Sequence, residues 1–271
     1  LVSGHFSYGV CHSHAIAFTI GAGASGKVGP MQPRQQPTQA QPFPDLSVII
    51  PTRNAAAVLP VTLAALGEAP REVVVADCGS ADGTAVIAAE LGARVVPAPE
   101  GRGHQIAAGV AAASGQWLLL LHADTVLSPG WAGAVADFTA APDAARVAGY
   151  FAFRLDEDAA EARRLERAVA WRCRWLGLPY GDQGLLIHRG MLSRIGGVPE
   201  EPMMEDVALV RRLGRARVRP IAAAAVTSAE KFRRDGYVRR SARNLGLLGL
   251  WFAGVPPKWL ARLYESNIRL R

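Results

Sequence analysis

Residues 46–54 read LSVIIPTRN, and the fold follows from this stretch. Leu46 to Ile50 is a short β-branched run, the pattern of a parallel strand buried on both faces. Pro51 stops it, because proline cannot donate to a sheet ladder. The polar group Pro51-Thr52-Arg53-Asn54 follows at once. The same order recurs downstream. Ala57 to Leu66 has helical spacing, and Glu72 to Ala76 is a second buried strand. Asp82 can cap a helix that runs to about Leu91 and closes at Gly92. Ala93 to Val96 is a third strand. An Ala-rich helix, His104 to Ala113, ends at Ser114-Gly115, and Trp117 to Leu121 is a fourth, continuously apolar strand. Strands alternating with helices of this length predict βαβ units and a mostly parallel sheet, an α/β fold of Rossmann type flanked by helices.

The rest of the chain is less regular. Val147 to Phe153 and Gly184 to His188 read as strands. Ala159 to Trp175 reads as an amphipathic helix and Met203 to Leu213 as another. The last forty or so residues read as helical and strongly basic, with Lys231, Arg233, Arg234, Arg239, Arg240 and Arg243 close together. The expected organisation is an extension over 1–43, an α/β domain over 44–228 and a basic helical appendage over 229–271. The extension is expected to be disordered or spurious, because its Pro/Gln-rich stretch at 31–44 cannot form a packed core. The chain begins with Leu, and Met31 is an alternative start.

With 271 residues and a hydrophobic fraction of 50%, the chain can bury a sizeable core, which excludes disorder throughout. The net charge of +7 favours anionic partners: nucleic acid, a phosphorylated substrate and an anionic membrane surface all qualify, and charge alone does not choose among them. Cys11, Cys78 and Cys173 are far apart, so neither a zinc site nor a disulfide framework is expected, and a reducing, cytoplasmic compartment fits. The longest apolar candidate, Leu245 to Val255, is too short to span a bilayer. The N-terminus lacks a basic leader and does not read as a secretory signal. GAGASG at 21–26 matches a dinucleotide fingerprint and, with Lys27, nearly a P-loop. Both need a helix to start there, and Pro30, Pro33 and Pro37 forbid it.

In parallel α/β sheets, ligands bind beyond the carboxyl ends of the strands. The polar residues just after each strand are therefore the site candidates. They are Pro51, Thr52, Arg53 and Asn54 after the first strand, Asp77 to Thr84 after the second, and His122-Ala123-Asp124-Thr125 after the fourth. Asp77 can accept a hydrogen bond from a nucleobase, or with Ser80 and Asp82 it can cap the next helix. Arg102 lies between two glycines that let backbone approach a phosphate closely. Glu205 and Asp206 open a helix, where acids are also favoured by the helix dipole.

SVIIPTRN (47–54), VVVADCGSADGT (73–84) and LLLLHADT (118–125) resemble the opening blocks of family 2 glycosyltransferases of the GT-A fold. GRGHQIAAGV (101–110), YGDQGLLIHR (180–189) and MMEDVALVRRL (203–213) resemble a bacterial subgroup labelled rSAM/selenodomain-associated transferase 2. The resemblance runs from about Asp45 to the C-terminus. It implies transfer of a sugar from a nucleoside-diphosphate sugar, with a UDP-sugar favoured, to an acceptor hydroxyl, with inversion and help from Mg²⁺ or Mn²⁺. Pro51, Thr52, Arg53, Asn54, Asp77, Ser80, Arg102 and Gln105 form the expected nucleotide-binding set, with Asp77 on the base. His122-Ala123-Asp124 stands where the family carries its D-x-D metal motif. Asp124 is the expected ligand, and His122, in place of a first Asp, is either a ligand or a neighbour of one. The catalytic base is expected at Asp206, with Glu205 as second choice. Asp182 and Gln183 are placed near the donor sugar or acceptor, or they form only a turn.

Two other readings stand beside this one: a nucleotidyltransferase that makes nucleotide sugars, and a non-catalytic domain that binds a nucleotide or lipid head group. The basic segment 231–265, with Trp251, Phe252 and Trp259, suits either packing on the domain or peripheral contact with an anionic membrane. No nucleic-acid motif is present, and no nucleic-acid partner is expected.

Overall fold

A computed structural model describes residues 43–269. The expectations for residues 1–42, including Cys11, the GAGASG pattern and Met31, lie outside the described residues. The sheet begins at Phe43, two residues before the expected start at Asp45.

Four strands form the parallel half of one eight-stranded sheet: β1 (Phe43–Thr52), β2 (Pro70–Asp77), β3 (Arg94–Pro97) and β4 (Trp117–Leu120). β1 is central and pairs in parallel with both β2 and β4. Further strands extend the sheet on the β4 side. They are β5 (Thr125–Leu127), β6 (Ala148–Leu155), β7 (Leu185–His188) and β8 (Val218–Thr227), giving the order β3-β2-β1-β4-β7-β6-β8-β5. β7 runs antiparallel to β4 and β6, β8 runs parallel to β6, and β5 runs antiparallel to β8. The fold is thus mixed α/β with a mostly parallel sheet.

Alternate side chains of the central strands enter two cores. Val48, Ile50, Leu119 and Leu121 pack on one face against α1 (Leu59–Leu66) and α4 (Trp131–Thr139). Ile49, Val74, Leu118 and Leu120 pack on the other against α3 (Arg102–Ala112), α6 (Arg189–Arg194) and α7 (Glu205–Leu213). All of these strand side chains are buried. Truncating one of them to Ala costs about 2–5 kcal/mol. α2 (Thr84–Glu90) follows β2. α5 (Ala160–Leu176) covers β6 in a third cluster that also takes in Ala229, Phe232 and Tyr237. The basic segment forms α8 (Glu230–Asp235), α9 (Tyr237–Phe252) and α10 (Pro257–Arg269), within the same compact unit as the sheet.

Several element ends move from their expected places for local reasons. α1 begins at Leu59 rather than Ala57, because Ala55 closes a turn with Val58 and Pro60 sits in the first helical turn. α7 begins at Glu205 rather than Met203, because Met204 takes a left-handed conformation, φ 66°. β5, α4 and β8 had no counterpart in the sequence reading.

The parallel ends of β1, β2 and β4 share one edge of the sheet. In the antiparallel register Leu120 faces Leu185, so the start of β7 lies at that edge too. The ends of β6 and β8, paired through Leu155 and Thr227, and the start of β5, paired through Thr125 and Thr227, lie together there.

Candidate active site

A cleft of about 580 Å³ opens along this edge. Of the residues expected at the site, Arg53, Arg102, Gln105, His122, Asp124, Asp182 and Asp206 line it. Residues from the C-terminal helices complete it, among them Lys231, Arg240, Asn244, Leu247 and Tyr264.

The loops after β1 and β2 are bonded to each other. The Asp77 carboxylate accepts from Thr52 Oγ1 (2.8 Å) and Ser80 Oγ (2.5 Å) on one oxygen, and from the Gly79 and Ser80 backbone N–H groups (3.0 and 2.8 Å) on the other. Burial pushes this carboxyl up, but the hydrogen bonds outweigh it and hold it below its usual range. A carboxylate has about four lone-pair sites, and all are taken. The Asp77 side chain thus shapes the loop, each of its oxygens accepting two hydrogen bonds. Ser80 Oγ also accepts from Asn54 N–H (2.8 Å), and Asn54 Oδ1 accepts from Ala81 N–H (2.9 Å). Gln105 donates to the Thr52 and Ala76 carbonyls (2.7 and 3.1 Å), joining β1 to β2. Pro51 and Thr52 are buried. Pro51, Thr52, Asn54 and Ser80 thus belong to the bonded loops, Gln105 and Arg53 line the cleft, and Arg53 is ion-paired with Glu100. Cys78, half-buried, lines the cleft as well.

Asp124, half-buried after β4, meets Lys231 Nζ of α8 at 3.0 Å. Burial pushes its carboxyl up, but the Lys231 charge and hydrogen bond bring it below the usual range. His122 Nε2 points at the Gly181 backbone, next to Asp206. A Cβ added at Gly181 would lie 2.6 Å from Nε2 and 3.2 Å from Asp206 Oδ2, so this position has room only for glycine. Burial and the Arg102 charge push the His122 imidazole down to about 4, leaving it neutral near pH 7.

Asp206 accepts from the Gly181 N–H (2.7 Å) and the Val207 N–H (2.8 Å) and faces the cleft. Glu205, one residue earlier, turns inward, with 1% of its surface exposed. Arg102 Nε lies 2.8 Å from its Oε1, while Oε2 is buried without a hydrogen-bond partner. Burial pushes the Glu205 carboxyl up to about 7, against the pull of Arg102. Glu205 is thus buried behind the cleft wall and holds Arg102, while Asp206 faces the cleft. Asp182 keeps a buried Oδ1 without a partner, and burial pushes its carboxyl up to about 6. Gln183 serves the turn rather than the cleft lining. It is buried, donates to the Phe151 carbonyl (3.0 Å) and accepts from Arg172 (3.2 Å), whose guanidinium lies 3.6 Å over the Tyr180 ring.

Among the described residues no three of His, Cys, Asp and Glu gather as a metal cage. A Mg²⁺ or Mn²⁺ ion that arrives with a diphosphate needs only one or two carboxylates, with phosphate oxygens and water completing its shell. Asp124, a hard oxygen donor on the cleft wall, fits that need. Lys231 is the cation that balances it in this structure. Lys231 belongs to the basic run at 231–243, and only the fold brings it to Asp124.

The sequence model described as Glycosyl transferase family 2 matches residues 47–196. No curated protein matches the chain. Among solved structures, S. aureus TarS 1-349 aligns with a TM-score of 0.53 at 17% identity, over 68% of this chain and 60% of that one. The same fragment in complex with UDP-GlcNAc gives 0.53 and 17%, over 68% and 58%. The present chain therefore spans less than two thirds of TarS 1-349. Glucosyl-3-phosphoglycerate synthase from Mycobacterium tuberculosis, in complex with Mn2+, UDP and glucosyl-3-phosphoglycerate, aligns with a TM-score of 0.48 at 20% identity, over 68% and 70%.

Proposed function

The chain belongs to glycosyl transferase family 2, and from that premise we propose that it moves a sugar from a nucleoside-diphosphate sugar to an acceptor hydroxyl with inversion. The observation that carries this reading is the meeting of Asp124 and Asp206 in one cleft, from separate elements of the sheet edge. The donor's nucleoside lies against the loop that Asp77 shapes, beside Arg53 and Cys78. A UDP-sugar is the favoured donor, in keeping with the UDP-GlcNAc held by TarS on the same fold. Within the family, the blocks at 101–110, 180–189 and 203–213 support the rSAM/selenodomain-associated subgroup.

Asp206 is the base. Its carboxylate, oriented by two backbone N–H groups, takes the proton of the acceptor hydroxyl as that oxygen attacks the anomeric carbon. The bond from the anomeric carbon to the diphosphate breaks on the opposite face, and the diphosphate leaves with the electron pair. Asp124 would hold a Mg²⁺ or Mn²⁺ ion, with His122 nearby, and such an ion supplies Lewis-acid stabilisation of the leaving charge. Lys231 is placed to turn from Asp124 to a phosphate oxygen. Asp182, with its unpartnered oxygen, is placed to accept from a sugar or acceptor hydroxyl. The free thiols Cys78 and Cys173 suit a reducing compartment such as the cytoplasm.

The test is a thermal-shift series with UDP and UDP-sugars, with and without Mn²⁺, followed by a transfer assay. Stabilisation by UDP with Mn²⁺, lost in Asp124→Asn, is expected, since ligand stabilisation follows occupancy. An undiminished Mn²⁺ response in Asp124→Asn sinks the metal role.

A further inference from the structure

The excess positive charge of this molecule sits in one place. Residues 229–271 carry ten basic and three acidic side chains, an excess equal to the whole chain's +7, so the remainder is balanced. The α9 helix in this segment has two faces. Leu247 is buried, and Arg240 and Arg243 reach Asp235 at 2.9 and 3.8 Å on the inner side. On the outer side Val238, Leu245 and Phe252 are 84%, 62% and 48% exposed. They stand seven residues apart, so they fall on one line along the helix. Ala242 and Gly249 fill the gaps in that line, and Arg239 flanks it, exposed. In α10, Trp259 is 58% exposed with the Arg262 guanidinium 5.3 Å from its ring, and Lys258 beside it is exposed.

We propose that α9 and α10 seat this chain on an anionic lipid surface, with the Val238–Leu245–Phe252 line and Trp259 in the head-group boundary and Arg239, Lys258 and Arg262 on the lipid phosphates. An apolar line edged by Arg and Lys, with an aromatic at the rim, is the pattern of a helix lying in the interface plane. No helix of the described residues is long and apolar enough to cross a membrane, so the contact lies along the surface. A nucleic acid would use the cations but gains nothing from exposed Val238 and Leu245. The inner sides of the same helices line the cleft through Leu247, Leu248, Ala261 and Tyr264, so seating brings the cleft to the lipid surface. The proposal goes beyond the transferase reading and does not depend on it.

The test is flotation of the full chain with vesicles of phosphatidylcholine alone and with equimolar phosphatidylcholine and phosphatidylglycerol. Binding to the anionic vesicles only, weakened by salt, is expected. The double variant Val238→Ser/Leu245→Ser removes two exposed side chains and leaves the melting temperature unchanged. Its partitioning should fall about tenfold or more, from the lost apolar burial. Arg239→Glu should lower it by a smaller factor. UDP stabilisation of the same samples reports the transferase reading separately. Failure of the wild-type chain to float overturns the proposal, as does equal flotation of the double-serine variant. Sedimentation showing a concentration-dependent dimer that this variant abolishes would assign the line to a second copy of the chain and overturn it too.

Discussion

The two walls of the cleft are built in opposite ways. On the strand-end wall, the polar groups satisfy one another: Asp77 receives four hydrogen bonds, and Asn54, Ser80 and Gln105 cross-link β1 to β2. On the wall formed by α7, the 180–183 loop and the C-terminal helices, Tyr180 Oη, Asp182 Oδ1 and Glu205 Oε2 are buried without hydrogen-bond partners. Among the described residues no such orphan is found before His104. Buried polar groups left unpaired cost free energy, so they persist where a ligand or a charge state answers them. One wall is a finished frame, and the other holds polar capacity in reserve.

The sharpest break of this contrast is Asp206→Asn. The amide keeps an acceptor for the Gly181 N–H but cannot take a proton. Sugar transfer should drop about 10²–10⁴-fold while the melting temperature stays close to wild type. Transfer at the wild-type rate would remove Asp206 from the chemistry. Next in size is Arg102→Met, which leaves Glu205 buried without its cation. Denaturant unfolding should show a loss of about 3–5 kcal/mol at pH 8, where Glu205 is ionised. The loss should shrink near pH 5, because the carboxyl can then bind a proton. On the finished wall, Asp77→Asn puts an NH₂ donor in place of one acceptor oxygen, facing donors it cannot serve, at a cost of about 1–3 kcal/mol with no change in metal response.

The walls should also differ in the sign of their pH dependence. The Glu205 carboxyl titrates near 7 when folded and near 4.5 when unfolded, so the folded chain binds more protons between those values. Its contribution to stability therefore falls as pH rises from about 4.5 to 7. Asp77 is shifted the other way. Its contribution is present above its unfolded value of 3.8 and is lost as pH falls below that. Melting curves of Glu205→Gln should be flatter than wild type between pH 4.5 and 7, and those of Asp77→Asn flatter only in the acid limb. A Glu205→Gln profile parallel to wild type would show that the carboxyl stays ionised throughout.

Legibility in the sequence followed the same division. The frame lies in contiguous blocks, in which a β-branched run and its terminal polar residues announce a strand and its ligand edge. Asp124 and Asp206 were open to reading as cleft residues because each lies beside the end of an element. What escaped was long-range. The saturation of Asp77 depends on Thr52, and the burial of Glu205 depends on Arg102, a partner from a different helix. β8 escaped for a local reason. Its AAAA run at 222–225 has weak strand propensity and Pro220 interrupts it, so only pairing with β6 and β5 makes it a strand. β5, at three residues, is too short to carry a periodicity.

Met204, the left-handed residue ahead of α7, has a further consequence. It fixes where the helix starts to turn, and each step along a helix rotates the side chain by about 100°. Two chemically similar acids joined by one peptide bond thus occupy different media, Glu205 buried against Arg102 and Asp206 on the cleft wall. An added residue between Met204 and Glu205 would advance that rotation by one step, so the position of a single backbone twist decides which acid meets the solvent.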